Sequence, residues 1–146
     1  MSMINWKYND GGRSKYFKRR ANSDCVCRAI AIATETDYLD VYNLINEYAK
    51  HEHKGKRKHY ISSAEEGVSG STLRKIMENH FHWKWHPCMK IGTGCTIHLR
   101  AEELPKGRLI VNVSRHETAV IDGIIQDISD PSRDGTRCVY GYYSKN

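Results

Sequence analysis

One stretch constrains this chain more than any other: Asn22-Ser-Asp-Cys-Val-Cys-Arg-Ala-Ile-Ala-Ile-Ala-Thr34. A polar loop turns there into a run that is apolar on nearly every side. A helix with that pattern is buried, and Asp24 stands where an N-cap belongs. Cys25 therefore falls at the mouth of a central helix, at its positive end, where a cysteine is best placed to act as a nucleophile. The plainer reading makes Cys25 and Cys27 small core residues.

The rest of the chain has to supply a core around that helix. At 146 residues the expectation is a single domain, 1–146, long enough to bury one. No run is long and apolar enough to cross a bilayer, and Met1 to Tyr8 contain no apolar signal core, so a soluble, cytoplasmic protein without membrane contact is expected. The five cysteines are odd in number and irregular in spacing, which argues for reduced thiols rather than a disulfide framework. A net charge of +6 favours acidic partners. Part of it lies in Lys15, Lys18, Arg19 and Arg20, and part in an exposed loop over 51–60. Within that loop Lys54, Lys56, Arg57 and Lys58 are candidates for holding a polyanion, either nucleic acid or an acidic protein. Its histidines are poor metal candidates, because a basic loop repels a cation.

Periodicity outlines the remaining elements. Residues 1–21 form an arm in which Trp6 and Tyr8 alternate with polar residues, a short strand, before the turn Asp10-Gly11-Gly12. Leu39, Tyr42, Leu44, Ile45 and Tyr48 make a packing stripe on a helix over 38–50. A third helix is expected over 71–80, capped by Ser69 or Ser71, and Phe81 to Trp85 alternate like a strand. Leu109 to Val113 form a β-branched strand. Asp122-Gly123 between β-rich runs is a hairpin turn, and Cys138 to Tyr143 read as a last strand. Helices come first and an antiparallel sheet follows, an α+β domain.

A cysteine nucleophile needs a base, and the base needs an orienting group. The hairpin supplies both. With a two-residue loop, Ile121 pairs with Ile124, Thr118 with Asp127 and His116 with Ser129. His116, Thr118, Asp127 and Ser129 then share a face, with Asp127 diagonal to His116 at about 7–8 Å between backbones. Asp127 is thereby selected over Asp122 and Asp130 to accept the Nδ1 proton of His116. Cys25 is preferred to Cys27 because two residues along a helix turn the side chain to the far side.

The order Cys25, His116, Asp127 resembles that of papain-like cysteine peptidases, particularly their compact bacterial branch, as does the strand-turn-strand His116-Glu-Thr-Ala-Val-Ile-Asp-Gly-Ile-Ile-Gln-Asp127. Asp24-Cys25 before Arg-Ala-Ile-Ala-Ile-Ala, and the lead-in Asn9-Asp-Gly-Gly-Arg13, also look like small bacteriophage-encoded proteins of that fold. The resemblance implies a papain-like fold, with N-terminal helices and a central buried helix packed on a C-terminal antiparallel sheet. It also implies a hydrolase of peptide or isopeptide bonds, or an acyl transferase, that needs no cofactor. Its substrate would be a protein or peptide, such as a bacterial host protein met in the host cytoplasm. Such peptidases carry a glutamine about six residues before the cysteine to complete the oxyanion hole. Arg19 stands there instead, and Asn22 is the substitute, with the Cys25 amide as second donor.

Two rivals remain. His80, His82, His86 and Cys88 are residues zinc prefers and share one face of a strand, but an extended chain spreads them too far for one ion. The other is a catalytically silent module that binds an acidic partner through the basic loops.

Overall fold

Alternating apolar residues over 108–127 make a sheet with two covered faces, and the buried helix lies on one of them. The computed structural model describes residues 5–21, 23–54 and 60–145. In chain order these form β1 (Asn5–Tyr8), α1 (Cys25–Thr34), α2 (Tyr38–Ala49), α3 (Gly70–Lys75), β2 (Lys84–Pro87), β3 (Arg108–Val113), β4 (His116–Ile121), β5 (Ile124–Asp127) and β6 (Val139–Ser144). The fold is α+β, and the sheet runs β1-β5-β4-β3-β6-β2.

The sheet is mixed, where an antiparallel one was expected. β1 lies parallel to β5 on the edge, and the other pairings are antiparallel. Nothing local announces this, because the N-terminal arm must travel the length of the chain to reach β5. It is held there by Trp6 Nε1 and the Asn9 amide, which donate to the Asp127 carbonyl at 3.2 and 2.9 Å.

Each sheet face has its own core. Ile110 and Ala119 pack under α1 with Ile30, Ala33, Val41 and Ile45. Leu109, Val111, Val113, Val120 and Ile125 pack on the other side with Leu99, Leu104 and Val139. The period-two alternation of β3 thus buries both faces, which removes the polar alternation of a half-exposed strand.

α1 lies chiefly against β4, with β3 and β5 beside it. Its C-terminal carbonyls, left without intrahelical donors, accept from Arg108: Nε to Ala33 and Nη2 to Ile32, each at 2.7 Å. At Gly11 (φ 72°) the turn presses against α1, and a Cβ there would meet the Arg28 Cα at 3.2 Å. The glycine therefore lets the arm approach the helix that carries Cys25.

Two further expectations change. Only the end of the stretch Phe81 to Trp85 is a strand. α3 continues as a wider π-helical turn over Ile76–Phe81, anchored by the fully buried Ile76 and Met77, and His82 then leaves it in the left-handed conformation (φ 62°). The strand starts only at Lys84, so His80 and His82 do not share a face with His86 and Cys88. Among the described residues no group of three or more His, Cys, Asp or Glu could hold a metal ion. Second, Cys95 and Cys138 form a disulfide, so Cys25, Cys27 and Cys88 are the free cysteines. Forty-three residues separate the pair in sequence, and the Val139 amide bond to the Ile97 carbonyl draws their segments together. Of the two serines expected to cap α3, Ser69 does so, accepting from the Thr72 amide at 3.3 Å. No described helix is long and apolar enough to cross a membrane.

Candidate active site

Cys25 is the first residue of α1 and Asp24 occupies the N-cap position, yet the Asp24 carboxylate does not cap the helix. It is buried and turned inward, where it accepts from Arg28 four residues on and from the Tyr38 hydroxyl at 2.7 Å. The first amides of α1 have no intrahelical carbonyl to bond. Without a side-chain cap they are available to a negative charge at Cys25.

β4 begins at His116, directly after a tight turn in which Arg115 is left-handed (φ 57°). The turn between β4 and β5 has both Asp122 and Gly123 at positive φ, the two-residue hairpin geometry. It sets Ile121 opposite Ile124 and Ala119 opposite Gln126. In that register Asp127 stands beside Thr118 and diagonal to His116. Its Oδ2 accepts from His116 Nε2 at 2.7 Å and from Thr118 Oγ1 at 2.8 Å. Its Oδ1 accepts from the Ile128 amide at 2.7 Å and from Arg28 Nη2 at 3.3 Å.

The ring therefore meets Asp127 through Nε2, where Nδ1 was expected. Nδ1 is the nitrogen left for Cys25, which lines the same cavity as His116. Diagonal placement aims the far end of the ring at the carboxylate, which the backbone register alone does not reveal. Burial pulls the His116 pKa down, but the hydrogen bond and negative charge of Asp127, with the neighbouring Cys25, outweigh it and raise the value to about 9. Burial also works against the Asp127 carboxylate, yet His116, Thr118 and Arg28 hold it below its ordinary range. Both effects favour a protonated ring facing an ionised acid at neutral pH.

Cys27 points elsewhere. It is fully buried, and burial pushes its thiol up to about 12. Asn22 lies outside the described residues. Arg19 is turned away from the site, its exposed guanidinium 3.4 Å from Glu65. Of the basic loop, Lys54 is exposed, and Lys56, Arg57 and Lys58 lie outside the described residues.

Sequence reasoning passed over Arg28 and Glu117. Arg28 is buried and ties both ends of the site together, bonding Asp24 at the start of α1 and Asp127 on β5. Its signal was present: an arginine inside an otherwise apolar helix, four residues after an aspartate. A second arginine supports the first. Arg13 makes a two-pronged contact with Glu65 at 2.8 and 2.9 Å and reaches the Tyr38 hydroxyl at 3.0 Å.

Cys25, His116 and Glu117 line one cavity of about 520 Å3, walled by Val26, Tyr60 and Val68. A further cavity of about 320 Å3 that His116 also lines includes Arg115, Arg133 and Arg137. Set against protein-family models, curated proteins and solved structures, the chain matches none.

Proposed function

We propose that the chain is a small papain-like cysteine hydrolase that cleaves a peptide or isopeptide bond, or transfers an acyl group, using Cys25, His116 and Asp127. The observation that carries this reading is a single imidazole bonded to a carboxylate at 2.7 Å and sharing a cavity with a cysteine at the start of a buried helix. A cationic ring beside a cysteine is the setting in which sulfur attacks as thiolate. The Cys25 sulfur adds to the substrate carbonyl, and the oxyanion forms beside the uncapped amides of α1. His116 gives its proton to the departing amine, leaving a thioester. It then takes a proton from water as the water attacks the thioester, and returns it to the sulfur as the acid leaves. Asp127 holds the ring through both steps. Asn22 is the proposed side-chain donor to the oxyanion.

The resemblance to phage-encoded proteins supports a host protein as substrate and the host cytoplasm as compartment. Cys95 and Cys138 are joined as a disulfide, a bond that a reducing cytoplasm disfavours. Neither lines the cavity of Cys25 and His116.

The test is alkylation of the folded protein with iodoacetamide at pH 7, read by peptide mass spectrometry. Cys25 should react first, and His116→Ala should slow it by about tenfold or more. Labelling no faster than that of a cysteine in an unstructured peptide refutes the reading.

A second reading, a polyanion-binding module, draws on a cavity of about 520 Å3 lined by Lys18, Arg19 and Arg20 with Arg13 and Arg28. The last two already face Glu65, Asp24 and Asp127. That reading requires binding to an oligonucleotide that falls steeply with salt.

A further inference from the structure

Glu117 is a buried charged residue that the proposed reaction does not use. It follows His116 on β4, opposite Asn112 on β3. The residue is 92 % buried, being 8 % exposed. One carboxyl oxygen, Oε1, accepts from Asn112 Nδ2 at 2.5 Å, while Oε2 is buried with no partner. A buried carboxyl oxygen left unpaired costs stability, so a chain built only for its fold would place a neutral or apolar residue here.

The position of this oxygen gives it a use. Glu117 lines the cavity that holds Cys25 and His116, and also a second cavity of about 410 Å3. The two cavities share Gly70, Asn112 and Glu117. The second is walled by Trp85 and Tyr143, whose rings lie 4.8 Å apart. Arg74 also lines it, but its guanidinium is paired with Glu78 at 2.9 Å. The groove thus leads from the sulfur, past an unpaired buried carboxyl, to aromatic surface. Carboxylate and aromatic faces together select a cation.

We propose that Glu117 is a specificity residue that receives a basic side chain, lysine or arginine, of the substrate near the scissile carbonyl. This rests on the hydrolase reading and adds the substrate class to it. The cationic side chain lies along Trp85 and Tyr143 and donates to Oε2, while Asn112 keeps Oε1 in place. Burial pushes the Glu117 pKa up to about 8, against the pull of Asn112 and His116. An arriving cation therefore displaces a proton and forms an ion pair out of water. An acidic side chain meets a carboxyl that cannot serve as its counter-ion, and a neutral one leaves Glu117 protonated and gains no ion pair, so both bind less well than a cation.

The test uses acetyl-Ala-Xaa-Ala-amide peptides with Xaa lysine, norleucine, glutamine or glutamate. Each is added to the whole protein to protect Cys25 from iodoacetamide, and each is also titrated directly by calorimetry. The lysine peptide should protect and bind at a concentration about tenfold or more below the norleucine and glutamine peptides. Glu117→Gln, which can keep the Asn112 bond, should bring that ratio to about one, with folding checked by circular dichroism. Equal binding of lysine and glutamine peptides overturns the subsite, and so does a lysine preference that survives Glu117→Gln. The peptide-free alkylation rate and its response to His116→Ala read the hydrolase proposal alone. If that arm fails, calorimetry still decides the subsite.

Discussion

Replacing Asp127 by asparagine tests how the site holds its histidine. The side chain keeps its shape and one acceptor oxygen but loses its charge. In the native protein that carboxylate, 3 % exposed, receives His116, Thr118, Arg28 and its neighbour's amide. The rise of the His116 pKa from 6.5 to about 9 amounts to roughly 3 kcal/mol of preference for the charged ring. A folded value above the unfolded one means this stabilisation is full below pH 6.5 and is lost as pH rises through about 9. Without Asp127, burial opposes a ring supported by Cys25 alone, and the value should fall by about 1–3 pH units. Removing one partner of a buried ionic group should also cost about 3–5 kcal/mol near neutral pH, because Arg28 keeps its charge. The assay is the titration of the His116 ring protons by NMR in both proteins, with urea unfolding at pH 6 and pH 9. The variant should lose the part of the pH dependence that spans 6.5 to 9. An unchanged His116 titration would refute the account, because the 2.7 Å contact would then carry no electrostatic weight.

The other predictions follow from the same geometry. Glu117 has a folded pKa above its unfolded 4.5, so its contribution declines as pH rises from 4.5 through about 8. Glu117→Gln should flatten chemical unfolding across that window and be relatively more stable at pH 8.5 than at pH 5. Arg28→Met should destabilise by about 3–5 kcal/mol in urea, since it leaves Asp24 and Asp127 facing a buried thioether. Arg28→Lys should recover little of the loss, because an ammonium cannot reproduce the fork that reaches both acids. Cys27, whose thiol is pushed up to about 12, should resist alkylation in the folded protein and react only on unfolding, as mass spectrometry of the α1 peptide can show.

The elements legible in the sequence are those set by neighbours along the chain. Asp122-Gly123 dictates a two-residue turn, and the period of a strand carries the register back to place Asp127 beside Thr118. The apolar run after Asp24 requires a buried helix beginning near Cys25. Both follow from local sterics and side-chain periodicity, which a sequence displays directly. The strand read from Phe81, which begins only at Lys84, shows where this ends, since alternation there was outweighed by the packing of Ile76 and Met77 in a widened helical turn.

What tertiary structure alone decided are the meetings between distant segments. Among these are the parallel seat of β1 on β5, the Cys95–Cys138 bond, and the choice of Nε2 rather than Nδ1 at Asp127. Arg28 is the sharpest case. As sequence it interrupts an apolar helix, and only when α1 lies beside β5 does it become the link between the cysteine's helix and the histidine's acid. A buried charge is tolerated only where partners converge on it, and convergence across about a hundred residues is a property of packing rather than of local pattern.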